Sequence, residues 1–160
     1  NYFSTMLDQS MNWKDAEKLC SQWGGHFALK GIMSVEDAKK AVDIGCTGIM
    51  VSNHGGRQLD QTISPIELLP DVRKAVGDEV EIIIDGGIRR GTDIFKAIAL
   101  GANACSIGRP YLYGLAVNGE AGVVKALEIL REEFRRTMAL MGITSVDEIT
   151  ASCLRKRKWQ

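Results

Sequence analysis

Surplus charge is the first thing this chain lacks: its 20 Lys and Arg residues cancel its 20 Asp and Glu residues, for a formal net charge of +0. That balance argues against a dedicated polyanion binder or a strongly charged membrane-surface protein, and it points to small or neutral partners with no nucleic acid among them. Long hydrophobic runs are missing too. No apolar stretch approaches the roughly 20 residues of a bilayer span, so neither a membrane segment nor a signal peptide is expected. Cysteine is sparse and scattered. Cys20, Cys46, Cys105 and Cys153 form no C-x-x-C pair and none sits beside a histidine, so metal and disulfide-framework readings are weak and inert thiols in a reducing, cytoplasmic compartment are expected. The chain opens on Asn1 rather than methionine, and it is expected to be a processed or excised piece of something longer. Finally, there is no G-x-G-x-x-G fingerprint, which counts against an open doubly wound dinucleotide sheet.

What is present is the composition of one folded domain, 45% hydrophobic and 25% charged. "NWKDAEKLCSQW" (12–23) places Trp13, Ala16, Cys20 and Trp23 on one helical stripe behind an Asn12/Asp15 capping pair. "HFALKG" (26–31) reads as a strand. "SVEDAKKAVDIG" (34–45) reads as a helix opened by Ser34 and Asp37 and stopped by Gly45. The alternation continues with strand 46–53, helix 65–77, strand 80–87, helix 91–101 and strand 103–108. Near-continuous apolar strands separated by helices indicate a parallel sheet covered by helices.

A repeat sharpens this. A shift of about 56 positions aligns Gly31 with Gly87, Ile32 with Ile88, Asp37 with Asp93, Lys40 with Lys96, Ala41 with Ala97 and Gly45 with Gly101. Each strand–helix unit then has about 28 residues, the spacing of a TIM (β/α)₈ barrel. Only four strands are present, so the fold class is α/β, about four βα units of such a barrel followed by C-terminal helices. The whole of 1–160 reads as one half-barrel domain, with a lead-in at 1–11, βα units over 12–118, and helices and tail over 119–160. The stretch from Gly119 to Gly142 is a long amphipathic helix with Val124, Leu127, Leu130, Phe134, Met138 and Met141 on its apolar side. "SVDEIT" opens a short last helix, and a basic tail, "LRKRKW", closes the chain. Four parallel strands cannot close a barrel, so inward side chains, among them Ala28, Ile82, Ile84 and Ala104, call for a partner.

Function in such sheets collects at the carboxyl ends of the strands. Lys30, the run Ser52–Arg57, "DGGIRRG" (85–91) and "GRP" (108–110) all fall there. Gly86, Gly87 and Gly91 let backbone N–H groups approach an anion at a helix N-terminus, and Arg89 and Arg109 add charge, which together suggest a phosphate cradle. Asp85 reads better as an acceptor for hydroxyls than as a phosphate neighbour. In "SNHGGRQLD" (52–60), His54 can take a proton near neutral pH and Arg57 can grip a carboxylate, with Gly55 and Gly56 turning both inward. His26 reads as structural.

"SNHGGRQLD", "LKGI", "DGGIRRGTDIFKAIALGA" and "IGRPYLYGLAVNGEAGV" together resemble the FMN-dependent 2-hydroxy-acid oxidases and dehydrogenases, over residues 13–150. The resemblance implies the C-terminal half of their barrel, with FMN as cofactor and a small (S)-2-hydroxy acid as substrate. It implies that His54 abstracts a proton, Arg57 binds the substrate carboxylate, Lys30 sits beside the flavin ring, Ser52 bonds that ring and Asp85 bonds the ribityl chain. Gly87, Arg89, Gly108 and Arg109 would hold the phosphate, and no metal is implied. The absent half would supply substrate tyrosines and an aspartate paired with the histidine. Partners then follow as the missing N-terminal half-barrel or a second copy of the chain, in a homo-oligomer. The alternative is an inactive half-barrel that binds phosphate or flavin, or only self-associates.

Overall fold

A computed structural model describes residue 6 and residues 8–155; most of the expected lead-in segment and the basic tail from 156 onward lie outside the described residues. Asn12 opens helix α1 (Trp13–Trp23) as expected: its side chain accepts the Lys14 N–H at 3.0 Å while the Asp15 carboxylate accepts the Asn12 N–H at 3.0 Å. Ala16 and Cys20 are buried and Trp13 half-buried. Trp23 departs from the expected stripe and is 68% exposed. Its ring lies over Gly25 and its indole N–H donates to the His26 carbonyl at 2.9 Å, which draws it along the turn and off the packed face.

Four parallel strands follow in the order β1 (Ala28–Lys30), β2 (Gly48–Ser52), β3 (Glu81–Asp85) and β4 (Ala104–Ser106), so each strand pairs with the next in sequence. Helices α2 (Val35–Asp43), α3 (Pro65–Val76) and α4 (Gly91–Ala99) connect them. Sequential parallel strands with one helix between each pair are the βα units of a TIM barrel, here four of its eight.

The register decides which side chains face which layer. Ile49 pairs with Ile82, and Val51 with Ile84; all four are fully buried beneath Ala38 and Ala41 of α2, Leu69 and Val72 of α3, and Ala97 of α4. The opposite face carries Lys30, Met50, Ile83 and Ala104 in one row and Ser52, Asp85 and Ser106 in the next. The expectation that Ile82 and Ile84 point into the barrel is therefore corrected: they face the helices, whereas Ala28 and Ala104 do lie on the open side. "EIIID" is apolar on both faces and offers no alternation from which to read the phase.

After β4 the chain does not wait for Gly119 to become helical. Helix α5 spans Arg109–Leu140, interrupted at Asn118 and Gly119 (φ 53°, ψ −137°). The break folds its first arm back on the second, with Gly114 packed so tightly against Gly122 that neither position has room for a Cβ. Only part of the expected apolar stripe is covered. Leu130 is buried, and Phe134 and Met138 pack on Phe95, Ala99 and Ile149 as a second small core, while Val124, Leu127 and Met141 stay exposed. In place of the expected last helix are two 3₁₀ turns, Val146–Glu148 and Ala151–Cys153. The Ser145 cap and Glu148 close around a single turn, which leaves no length to propagate.

Candidate functional site

The carboxyl ends of the strands bring the polar residues together. Ser52, 3% exposed at the end of β2, donates its hydroxyl hydrogen to Asp85 Oδ2 at 2.6 Å and accepts the His54 backbone N–H at 3.1 Å. Lys30 Nζ approaches the same Asp85 oxygen at 3.3 Å. One buried hydroxyl thus ties the ends of β2 and β3 to the start of the histidine loop.

That loop runs through three successive left-handed residues, His54 (φ 56°), Gly55 (φ 67°) and Gly56 (φ 71°). Two are glycine, for which the conformation is free of steric cost, and the third is a histidine, for which it costs about 1–2 kcal/mol. The Ser52 hydroxyl on its N–H and the Asn53 side chain on the Gly56 N–H (3.3 Å) hold the turn in place. Across from it, Arg109 Nη2 donates to the Gly55 carbonyl at 3.1 Å, so the loops after β2 and β4 touch.

The loop after β3 supplies the glycines. Gly87 (φ 79°) and Gly108 have open space where a Cβ would stand, and no hydrogen-bond acceptor among the described residues meets the N–H of Gly87, Ile88 or Gly108. Gly91, expected in the same cradle, is not available to it. Its N–H donates to Glu133 Oε2 at 2.8 Å, and the N–H groups of Arg89 and Arg90 go to Asp93 Oδ2 at 3.1 and 2.9 Å. The end of α4 is closed by carboxylates, and the unspent donors lie before it.

These loops surround a cavity of about 420 Å³, within the range of small-molecule sites. Lys30, His54, Arg57, Asp85, Gly87, Arg89, Gly108 and Arg109 all line it. Ser52 does not: its hydroxyl is spent beneath the wall. Cations outnumber the single carboxylate, so the cavity suits an anion. Ile88, Ser106, Ile107, Tyr111 and Leu112 also line the cavity without having been expected there; Pro110, the second residue of the helix that Gly108 caps, was the signal that a helical wall begins there. Among the described residues there is no group of three or more His, Cys, Asp or Glu side chains placed to hold a metal ion; burial pushes the Cys46 and Cys105 thiols up to about 11, with the neighbouring Cys20 and Asp93 adding to it respectively.

Comparison with known proteins identifies the family. Residues 1–156 match the family model described as FMN-dependent dehydrogenase. The chain is 49% identical over 154 residues to a peroxisomal (S)-2-hydroxyacid oxidase of Arabidopsis thaliana, covering 96% of this chain and 42% of that protein. It is 46% identical over 150 residues to an L-lactate dehydrogenase of Caulobacter sp. (strain K31), covering 94% and 40%. A crystal structure of the monotopic membrane protein (S)-mandelate dehydrogenase superposes with a TM-score of 0.93 at 40% identity, over 98% of this chain and 41% of that one. The chain spans about two fifths of the length of these relatives. With the family's match running from end to end of the described fold, this chain belongs to the FMN-dependent dehydrogenases.

Proposed function

We propose that the chain is the C-terminal half of an enzyme that oxidises a small (S)-2-hydroxy acid to the 2-oxo acid. FMN is the family's cofactor, and when bound it supplies the acceptor for the two electrons leaving the substrate. The donor set fits it: unspent N–H groups of Gly87, Ile88 and Gly108, with Arg89 and Arg109, suit a phosphate dianion. Asp85 already accepts a hydroxyl, from Ser52, and can do the same for a ribityl chain. Lys30 brings an ammonium to the same wall, favouring negative charge beside it.

The chain's own chemistry rests on two side chains. Arg57 binds and orients the substrate carboxylate through its planar fork. His54 accepts the substrate's proton at its imidazole, on a loop whose backbone is fixed by Ser52. The observation that carries this reading is that His54 and Arg57 open onto the same cavity as the glycine and arginine phosphate donors. The open sheet face, with Met50 and Ile83 half-covered and β1 and β4 as edges, supports closure by an N-terminal half-barrel or by a second copy of the chain.

Anaerobic stopped-flow of the full-length protein tests the assignment. His54→Gln is expected to keep FMN bound yet slow flavin reduction by a 2-hydroxy acid about 10²–10⁴-fold, and Arg57→Met to raise the substrate concentration required. Reduction at the wild-type rate in the His54 variant would sink it. Flavin that binds normally but is bleached by no hydroxy acid in the wild type would favour the inactive, flavin-binding half-barrel instead.

A further inference from the structure

Two arginines stand side by side in the β3–α4 loop and meet opposite fates. Arg89 lines the cavity. Arg90 turns to α5, where its Nη2 lies 2.7 Å from Glu133 Oε1 and its Nε donates to Glu133 Oε2 at 3.0 Å, a two-point fork on one carboxylate. The same Oε2 takes the Gly91 N–H at 2.8 Å. Gly91 has no room for a Cβ because the chain of Glu133 and Phe134 occupies that space. Glu133 thus reaches from a distant helix, outside the cavity, to the first residue of α4. There a helix would otherwise offer its donors and its dipole to an anion.

We infer that Glu133 is a positioning residue for the phosphate seat: by pinning Arg90 and Gly91 to α5 it fixes the path of Gly86–Arg89, leaves Arg89 as the loop's cavity arginine, and keeps the anion off the end of α4. This rests on the phosphate-binding reading given above. Glu133 is ionised at neutral pH, because the Gly91 N–H and then Arg90 hold its carboxyl below the usual carboxylate range. Without it, a guanidinium and a backbone N–H come free one residue from the seat and compete for the phosphate, while the loop loses its anchor at that end.

The test is a titration of the full-length protein, stripped of cofactor, with FMN and separately with riboflavin, which lacks the phosphate. Glu133→Ala is expected to weaken FMN about tenfold and riboflavin not at all. The double variant Arg90→Ala/Glu133→Ala, which restores the net charge but not the anchor, is expected to show the same selective loss. Equal weakening of both ligands would mean that Glu133 merely holds the fold, and unchanged or tighter FMN binding would overturn the inference outright. Should Glu133→Ala fail to fold, Glu133→Gln keeps an acceptor for the Gly91 N–H and is expected to show a smaller loss with the same selectivity. Arg89→Met separates the two claims. If it too leaves FMN affinity intact, the phosphate reading fails; if it weakens FMN while the Glu133 variants do not, only the positioning role fails.

Discussion

Helices α2 and α4 are the two copies of the repeat, nine residues each, and their frameworks agree in detail. Gly31 and Gly87 both take positive φ (98° and 79°), as do Gly45 and Gly101 (90° and 106°). Ile32 and Ile88 are 7% and 6% exposed, and Ala41 and Ala97 fully buried. Lys40 pairs with Asp37 at 3.4 Å, and Lys96 with Asp93 at 3.9 Å. The copies part company where the cavity is built. Lys30 stands where the second copy has Gly86, Asn53 where it has Arg109, and His54 where it has Pro110. A duplicated scaffold can keep its caps and core and still assemble a site from its mismatches, because strand-end loops bear little of the packing.

The largest expected difference lies at the first residue of each helix. Val35 is half-buried against the common core, whereas Gly91 meets the backbone of α5. Gly91→Ala must push α5 off α4 and is expected to cost about 3 kcal/mol in denaturant unfolding, against about 1 kcal/mol for Val35→Ala. Equal costs would show that α5 yields easily and that its docking is no constraint on the second copy.

The terminal glycines come next. Both need a left-handed residue, so alanine strains each by about 1–2 kcal/mol. At Gly45 an added Cβ finds only Cys20 Sγ, at 3.8 Å; at Gly101 it would meet Arg73 Cγ at 2.7 Å and Cβ at 3.0 Å. Arg73 cannot move aside without loss, since its guanidinium donates to the carbonyls of Gly101, Gly77 and Val80 and to the Asn103 side chain. Gly101→Ala is therefore expected to be the worse of the pair by about 1 kcal/mol. A reversed order would break the claim that Arg73 is held rigidly.

A smaller gap separates the paired aspartates. Asp93 accepts two backbone N–H groups, whereas the Asp37 carboxylate accepts from the exposed Lys40 ammonium. Asp93→Ala is expected to cost about 1–2 kcal/mol and Asp37→Ala less than about 0.5 kcal/mol, since an exposed i,i+3 ion pair contributes little. Hydrogen exchange at the first turn of each helix would report the difference directly.

How much of this was legible depended on range. Caps such as Asn12/Asp15 and stops such as Gly45 are written within a few residues, and the strand-end cluster follows from any parallel sheet, so these were readable. The facing of Ile82 and Ile84 was not, because a run of isoleucines carries no phase until the ladder to β2 fixes it. The first arm of α5 went unread because its glycine faces another glycine across a chain reversal. Glu133 was invisible for a plainer reason: nothing near it in sequence marks a glutamate that closes a helix 42 residues earlier.

The least of the expected differences is one of pH, and it too belongs to the second copy alone. The Glu133 carboxyl is held below its ordinary value first by the Gly91 N–H and then by Arg90, with Arg136 adding to the attraction, and among the described residues no acid from another helix accepts the Val35 N–H. Glu148 is lowered similarly by the Thr144 and Ser145 N–H groups on the chain that follows α5. A depressed carboxyl stabilises the folded state above its unfolded pKa, near 4.3, and that contribution disappears as pH falls through the lower folded value. Acidification below about pH 4 is thus expected to loosen the α4–α5 unit before α2 and its strands, read as amide exchange in Phe95–Ala99 rising ahead of that in Ala38–Val42. Glu133→Gln should flatten most of this acid response while leaving α2 unchanged. If both helices lose protection together, the two copies unfold as one unit and the acid staple on α4 makes no separate contribution.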